Sequence, residues 1–224
     1  KKLSDAYELA AASGIAAQYG KEATMTWLLE QHKKEKTANH NTPLWGPVLN
    51  MSYRVYPYEE LIEVADTTMI VLHTPGHTEG YGCPYFPKHG VMYAGDFDLT
   101  SFGPWYMNAD SDIDAFLASA KRTLEVDAKY YVTGHHKGTF DRKEYEHRLV
   151  KFMDKIAERE DKTKNAIQKG IPPKDIVYQE IVYLLRNHRQ NRHFLHSEIL
   201  GIAKHIQRLI AKGCAFEDYF QHFI

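Results

Sequence analysis

The chain has 224 residues, 43% hydrophobic and 25% charged, which suits one or two folded domains and excludes a disordered, collagen-like or disulfide-stapled chain. The formal net charge of −1 excludes a surface built throughout for nucleic acid or for an acidic membrane. Two cysteines outside any CxxC pattern indicate a reducing compartment, and neither a signal peptide nor a span of about 20 apolar residues is visible, so we expect a cytoplasmic protein without membrane contact.

The first part of the chain predicts two helices around a short strand, followed by a loop. Residues 3–13 have helix-forming composition and are followed by Gly14, a residue that helix C-termini favour. The apolar run 15–20 predicts a short strand, and the helical spacing of apolar residues predicts a second helix over 21–36. Turn formers are dense over 37–53 and predict a long surface loop.

Alternating and β-branched runs then predict a series of strands. These runs cover residues 53–58, 61–65, 67–76, 91–96 and 129–134. Between the last two strands, apolar residues at helical spacing predict an amphipathic helix over 112–126. This order indicates a layered domain of helices and strands over residues 1–140.

Residues 141–224 have nearly all-helical composition and predict a second domain. Its helices are expected over 144–160, 173–190 and 197–213. Acidic side chains outnumber basic ones before residue 141, and the reverse holds after it, which fits two segments with different roles.

Histidine and aspartate side chains follow three of the predicted strands through turns that contain glycine. His77 follows Thr-Pro-Gly, Asp96 follows Tyr-Ala-Gly, and His135 and His136 follow Thr-Gly. Loops at strand ends gather ligand-binding groups from distant positions in the sequence. Imidazole and carboxylate suit Zn, Mn or Fe, and a carboxylate can bridge two ions. The sequence therefore predicts a site for one or two divalent ions.

The segments TPGHTEG (74–80), YAGDFD (93–98) and VTGHHKG (132–138), in this order, resemble the second half of the metallo-β-lactamase superfamily of hydrolases. The resemblance implies an α+β fold, an αββα sandwich, with zinc as the expected metal and iron or manganese as alternatives. It also implies that His77 is a ligand of one metal, that Asp96 is the bridging carboxylate and catalytic candidate, and that His135 is the last histidine ligand of the second metal. His136 is the alternative to His135.

The superfamily also carries an HxHxDH motif upstream of TPGH, and no such string occurs in this sequence. Either the chain lacks the N-terminal part of the sandwich, or it is a relative that has lost catalysis. All three downstream segments are kept, and the helix predicted over 3–13 resembles the one that follows the motif in relatives. We therefore expect an incomplete N-terminal part.

The resemblance implies hydrolysis by a metal-bound hydroxide, and we expect a small ester, thioester, lactone or amide as substrate. Aromatic and acidic side chains directly after Asp96 either line the substrate pocket or pack beneath a loop. These side chains are Asp98, Phe102, Trp105 and Tyr106.

Basic residues are concentrated near the C-terminus and suggest an alternative function. They are Arg186, Arg189, Arg192, Lys204, Arg208 and Lys212. Basic helices can contact phosphates, and the region resembles the helical extension of some relatives, among them nucleases, so a metal-dependent nuclease or nucleic-acid-binding protein is the second hypothesis. The other interpretation is a helical face that packs on the hydrolase domain. A non-catalytic binding module is the third hypothesis, and association into a homo-oligomer stays open.

Overall fold

The structure is a computed structural model that describes residues 56–135, 138–184 and 192–223. The elements predicted over 3–36 and the loop predicted over 37–53 lie outside the described residues, as does His136. No helix in these described ranges is both long enough and apolar enough to cross a membrane.

The described residues form one six-stranded sheet in which neighbours in sequence are neighbours in space. Its strands are β1 (Leu61–Val64), β2 (Thr67–His73), β3 (Gly82–Phe86), β4 (Val91–Gly95), β5 (Tyr130–Thr133) and β6 (Thr139–Asp141). All pairs are antiparallel except β4 and β5, which are parallel. β2, β4 and β5 therefore run in the same direction, and their carboxyl ends meet at one edge of the sheet.

The helices of the described residues are α1 (Ile113–Arg122), α2 (Arg142–Gln168), α3 (Pro173–Ile176), α4 (Arg192–Ala211) and α5 (Glu217–Phe220). α1 connects the two parallel strands, and the Asp112 carboxylate caps its first turn by accepting the N–H of Ala115 at 2.7 Å. The predicted α+β class with a helical C-terminal region is confirmed.

The long helix α2 contributes to three hydrophobic clusters, of which two are the cores of the sheet and of the helical region and the third joins Ile156 of α2 to Tyr106 and Met107. The core of the sheet includes Met92 and Tyr131 from the strands, Phe116 from α1, and Tyr145 and Phe152 from the first half of α2. The second core joins the end of α2 to the C-terminal helices through residues such as Ala166, Ile199 and Ile202. Because α2 begins at residue 142 and packs on the sheet, the expected boundary at residue 140 falls in front of a helix that belongs to both units.

The structure differs from the strand predictions in three places. Residues 56–58 are not part of a strand, although one was predicted over 53–58, of which 53–55 are outside the described residues. Neither β3, whose short apolar run Gly82 and Pro84 interrupt, nor the three-residue β6 was predicted from the sequence.

Of the helix predicted over 173–190, residues 173–176 are helical and 177–184 form turns and bends, while 185–190 lie outside the described residues. The carboxylate of Glu198, which is fully buried in α4, accepts the backbone N–H groups of Ile181, Val182 and Tyr183 at 2.7–3.1 Å. These bonds replace those of a helix and hold the segment against α4.

Candidate metal centre

His77 lies in the turn between β2 and β3, and this turn is fastened to α1. The N–H of Asp112 donates to the carbonyl of Gly76 at 2.9 Å, and the hydroxyl of Ser119 donates to the carbonyl of Pro75 at 2.7 Å. Gly76 has φ +131°, and a Cβ built on it would lie 2.3 Å from the backbone nitrogen of Phe116. Glycine is therefore required where the turn touches the helix.

The hydrogen bond at Nδ1 of His77 determines the tautomer of its imidazole ring. Nδ1 lies 3.0 Å from the carbonyl oxygen of Trp105, and because a carbonyl can only accept, Nδ1 carries the proton. In the neutral ring this leaves the lone pair on Nε2, the arrangement typical of a histidine that binds a metal. The carbonyl of His77 itself accepts the hydroxyl of Ser111 at 2.7 Å.

Asp96 follows β4 in a turn that is stabilised by a hydrogen bond to Tyr81. The backbone N–H of Asp96 donates to the Tyr81 hydroxyl at 2.5 Å. Burial, with a contribution from the nearby Cys83, raises the pKa of Tyr81, so the phenol stays protonated and can donate to the carbonyl of Ala94 at 3.4 Å. Gly95 has φ +55°, and a Cβ there would collide with the Tyr81 hydroxyl.

His135 follows β5 in a turn that is tied to the turn of Asp96. The N–H of Gly134 donates to the carbonyl of Gly95 at 2.8 Å, and the hydroxyl of Thr133 donates to the carbonyl of His135 at 3.0 Å. The carboxyl ends of β2, β4 and β5 thus bring His77, Asp96 and His135 to one place, as their positions in the sequence predict.

The two imidazoles flank the carboxylate on separate oxygens. Nε2 of His77 lies 3.6 Å from Oδ2 of Asp96, and Nε2 of His135 lies 3.3 Å from Oδ1. Both separations exceed the usual N–H···O range. Two ligands that are each about 2.1 Å from a tetrahedral metal would be about 3.4 Å apart, so each histidine nitrogen and the Asp96 oxygen that it faces have the spacing of two ligands of a shared ion.

The three side chains are of the kind that binds a divalent metal, but the ligand set is incomplete within the described residues. No group of three or more His, Cys, Asp or Glu side chains that would hold one ion occurs in those ranges. Each side of Asp96 offers one imidazole and one carboxylate oxygen, so an ion held there would need further ligands from other residues or from solvent. The side chains of His77, Asp96 and His135 are 19%, 30% and 65% exposed, so solvent reaches all three.

The four predicted pocket residues are in different environments. The Trp105 ring lies 5.4 Å from the His77 ring, next to the centre. Phe102 packs against Tyr183, and the Asp98 carboxylate accepts the N–H and hydroxyl of Thr100 within its own turn.

Tyr106 is fully buried, and its hydroxyl lies 2.9 Å from Nε2 of His205 in α4. Because it has no exposed surface, Tyr106 packs beneath the loop, as the alternative interpretation held, and does not line an open pocket.

Three of the C-terminal basic residues contact the rest of the protein. Lys204 donates to the carbonyls of Asn108 and Ser111, Arg208 pairs with Asp114 and Glu160, and Lys212 pairs with Glu160. Burial raises the pKa of Glu160, but the adjacent His205, Lys212 and Arg208 outweigh it and lower the pKa to about 2. The described cations thus hold α4 against α1, α2 and the loop after β4.

The supporting roles of Tyr81 and Ser111 were not predicted from the sequence. Both form hydrogen bonds with backbone atoms of the centre. Every residue has a backbone, so the residue types in the sequence do not indicate such a bond. Only the position of Tyr81 directly after TPGHTEG would have pointed to it.

The chain belongs to the metallo-beta-lactamase superfamily, whose family model matches residues 4–135. This confirms the resemblance seen in the three sequence segments. The superfamily consists largely of hydrolytic metalloenzymes, which supports a hydrolase-like function and binding of a divalent metal in general terms.

Two solved structures share the fold. A metallo-beta-lactamase family protein from Thermus thermophilus superposes with a TM-score of 0.53 at 21% identity, over 81% of this chain and 60% of that one. A beta-lactamase domain protein from Burkholderia ambifaria also gives 0.53 at 15% identity, over 80% of this chain and 54% of that one. An uncharacterized protein of Aquifex aeolicus is 39% identical over 66 residues, which are 29% of this chain and 31% of that protein. The chain thus spans less than two thirds of the length of each of these proteins.

Proposed function

We propose that the protein is a metal-dependent hydrolase of a small ester, thioester, lactone or amide, with His77, Asp96 and His135 among its metal ligands and zinc as the metal. One observation carries the proposal: two imidazole Nε2 atoms face opposite oxygens of a single carboxylate at 3.6 and 3.3 Å. Two histidines beside one carboxylate would be suitable ligands of one or two divalent ions.

Divalent metal ions, when bound, supply a water of lowered pKa and polarise the oxygen of the scissile carbonyl. Other residues of the chain position the proposed ligands. The carbonyl of Trp105 keeps the proton of His77 on Nδ1, and the Tyr81 hydroxyl holds the backbone at Asp96. The Trp105 ring supplies an apolar surface beside His77, which favours a substrate with an apolar part.

The described cations do not favour the nucleic-acid hypothesis. Lys204, Arg208 and Lys212 already contact carbonyl oxygens or carboxylates of the same chain. Contacts to phosphates would require them to give up these partners. Of the other three basic residues, Arg186 and Arg189 lie outside the described residues, and the structure does not describe the side chain of Arg192.

The location that we propose is the cytoplasm. Both cysteines of the chain, Cys83 and Cys214, are free thiols. Unpaired cysteines suit a reducing compartment.

The experiment is a hydrolysis screen on the full-length protein reconstituted with zinc. We expect turnover of a nitrophenyl ester or a thioester that a chelator abolishes, that zinc restores, and that changes little between low and moderate salt. Affinity for RNA or DNA that falls steeply over the same salt range, without ester or thioester turnover, would favour the nucleic-acid hypothesis. Absence of bound metal after reconstitution would favour a non-catalytic binding module.

A further inference from the structure

Residues 98–112, in the loop between β4 and α1, make two hydrogen bonds to His77. The carbonyl of Trp105 accepts from Nδ1 of His77, and the hydroxyl of Ser111 donates to the carbonyl of His77. The orientation of the imidazole therefore depends on where this loop lies. We call residues 98–112 the site loop.

Two cations of the helical region hold the site loop through its backbone carbonyls. Arg159 of α2 donates to the carbonyls of Phe102 and Pro104 at 2.5 and 2.7 Å. Lys204 of α4 donates to the carbonyl of Asn108 at 2.7 Å and to that of Ser111. Charge-assisted bonds of this kind are stronger than bonds between neutral groups.

The contacts of Lys204 lead to His77 in two steps. Lys204 binds the carbonyl of Ser111, and the hydroxyl of the same Ser111 binds the carbonyl of His77. The Ser111 hydroxyl also accepts the N–H of Asn108 at 3.1 Å, so both residues that Lys204 holds belong to one small turn. Burial lowers the pKa of Lys204 to about 8, with Asp112 and Asp110 opposing the shift, so the ammonium group is still charged at neutral pH.

We propose that Lys204 is a positioning residue for the metal centre: from α4 it fixes the turn of Ser111, and through Ser111 it fixes His77. The inference rests on the proposed function, because it takes His77 to be a metal ligand. It makes the helical C-terminal region part of the scaffold of the centre, although this region supplies none of the three described ligands.

The test is metal affinity in the full-length protein, with Co²⁺ as the probe. The variant Lys204→Met keeps the length of the side chain and removes its donors. The matched control is Lys212→Met. Lys212 lies about two helical turns after Lys204 and pairs with Glu160 but not with the site loop. Affinity is measured by competition with a chelator, the visible spectrum of bound Co²⁺ reports histidine ligation, and thermal unfolding of the metal-free proteins reports folding.

We expect Lys204→Met to bind Co²⁺ about 10-fold to 100-fold more weakly, with an altered spectrum, as is typical when a supporting residue of a ligand is lost. Lys212→Met is expected to change the affinity less than about twofold, since it touches no group that holds a ligand. Lys204→Arg, which again offers donors to both carbonyls, should restore most of the affinity.

Two results would overturn the inference while leaving the proposed function intact. One is a folded Lys204→Met that binds Co²⁺ like the wild type, and the other is an equal loss in Lys212→Met. If Lys204→Met does not fold, Ser111→Ala decides, because it cuts the second step without removing the cation: a loss of about tenfold supports the inference, and unchanged affinity overturns it. A wild-type protein that binds no Co²⁺ refutes the proposed function itself.

Discussion

Replacing Gly76 with alanine should disable the metal centre without removing any polar group. The added Cβ would lie 2.3 Å from the backbone nitrogen of Phe116, whereas an ordinary contact begins at 3.4 Å. The turn that carries His77 must therefore move away from α1 by about 1 Å, and a displacement of this size can cost roughly 100-fold in rate. The φ of +131° adds backbone strain of about 1–3 kcal/mol.

The control for Gly76→Ala is Gly170→Ala. Gly170 also has a positive φ, +74°, but a Cβ there meets nothing within 4 Å, and the residue lies beyond the end of α2. Both variants should unfold at lower temperature, while only Gly76→Ala should also lose metal affinity and turnover, measured by chelator competition and by ester or thioester hydrolysis. If Gly76→Ala keeps wild-type metal affinity and turnover, the contact with α1 does not position His77.

Three further predictions concern the second histidine, the turn of Asp96 and the docking of α4. His135→Ala should lower the metal content and His136→Ala should not, as measured by elemental analysis; the opposite pattern would make His136 the ligand. Tyr81→Phe leaves the backbone N–H at Asp96 without its acceptor and should cost about 1 kcal/mol of stability together with some metal affinity; unchanged unfolding and affinity would show that the hydroxyl does not hold the turn. The pKa of Glu160 lies near 2 in the folded protein, below its unfolded value of 4.5, so its stabilisation is present above pH 4.5 and is lost as the pH falls toward 2. Glu160→Gln should remove roughly 3 kcal/mol of this acid-sensitive stability in unfolding curves taken at several pH values, and an unchanged pH dependence would contradict the pairing.

The meeting of His77, Asp96 and His135 was predictable because each follows an apolar strand through a glycine turn. Sequence position alone places such residues at strand ends, and the parallel course of β2, β4 and β5 brings those ends together. The strand pattern also predicted most of the sheet, since alternation and β-branched residues are a local signal.

The parts that were not predicted depend on contacts between distant residues. The segment 177–184 has helical composition, but three of its N–H groups bind the carboxylate of Glu198, 15 to 17 residues away. The roles of Tyr81, Ser111 and Lys204 rest on bonds to backbone atoms, which no pairing of residue types reveals. The burial of Tyr106 follows from the packing of α4, which the composition of its own segment does not indicate.

The central claim is that Asp96 holds metal for hydrolysis, and the most direct test is the metal content of Asp96→Ala. The full-length wild type, Asp96→Ala and Glu63→Ala are reconstituted with zinc and dialysed, and metal and turnover are measured on the same samples. Glu63 is an exposed carboxylate of β1 and controls for the loss of a charge. We expect metal and turnover to fall together in Asp96→Ala and to stay at the wild-type level in Glu63→Ala. Retention of stoichiometric zinc and full turnover by Asp96→Ala would contradict the account.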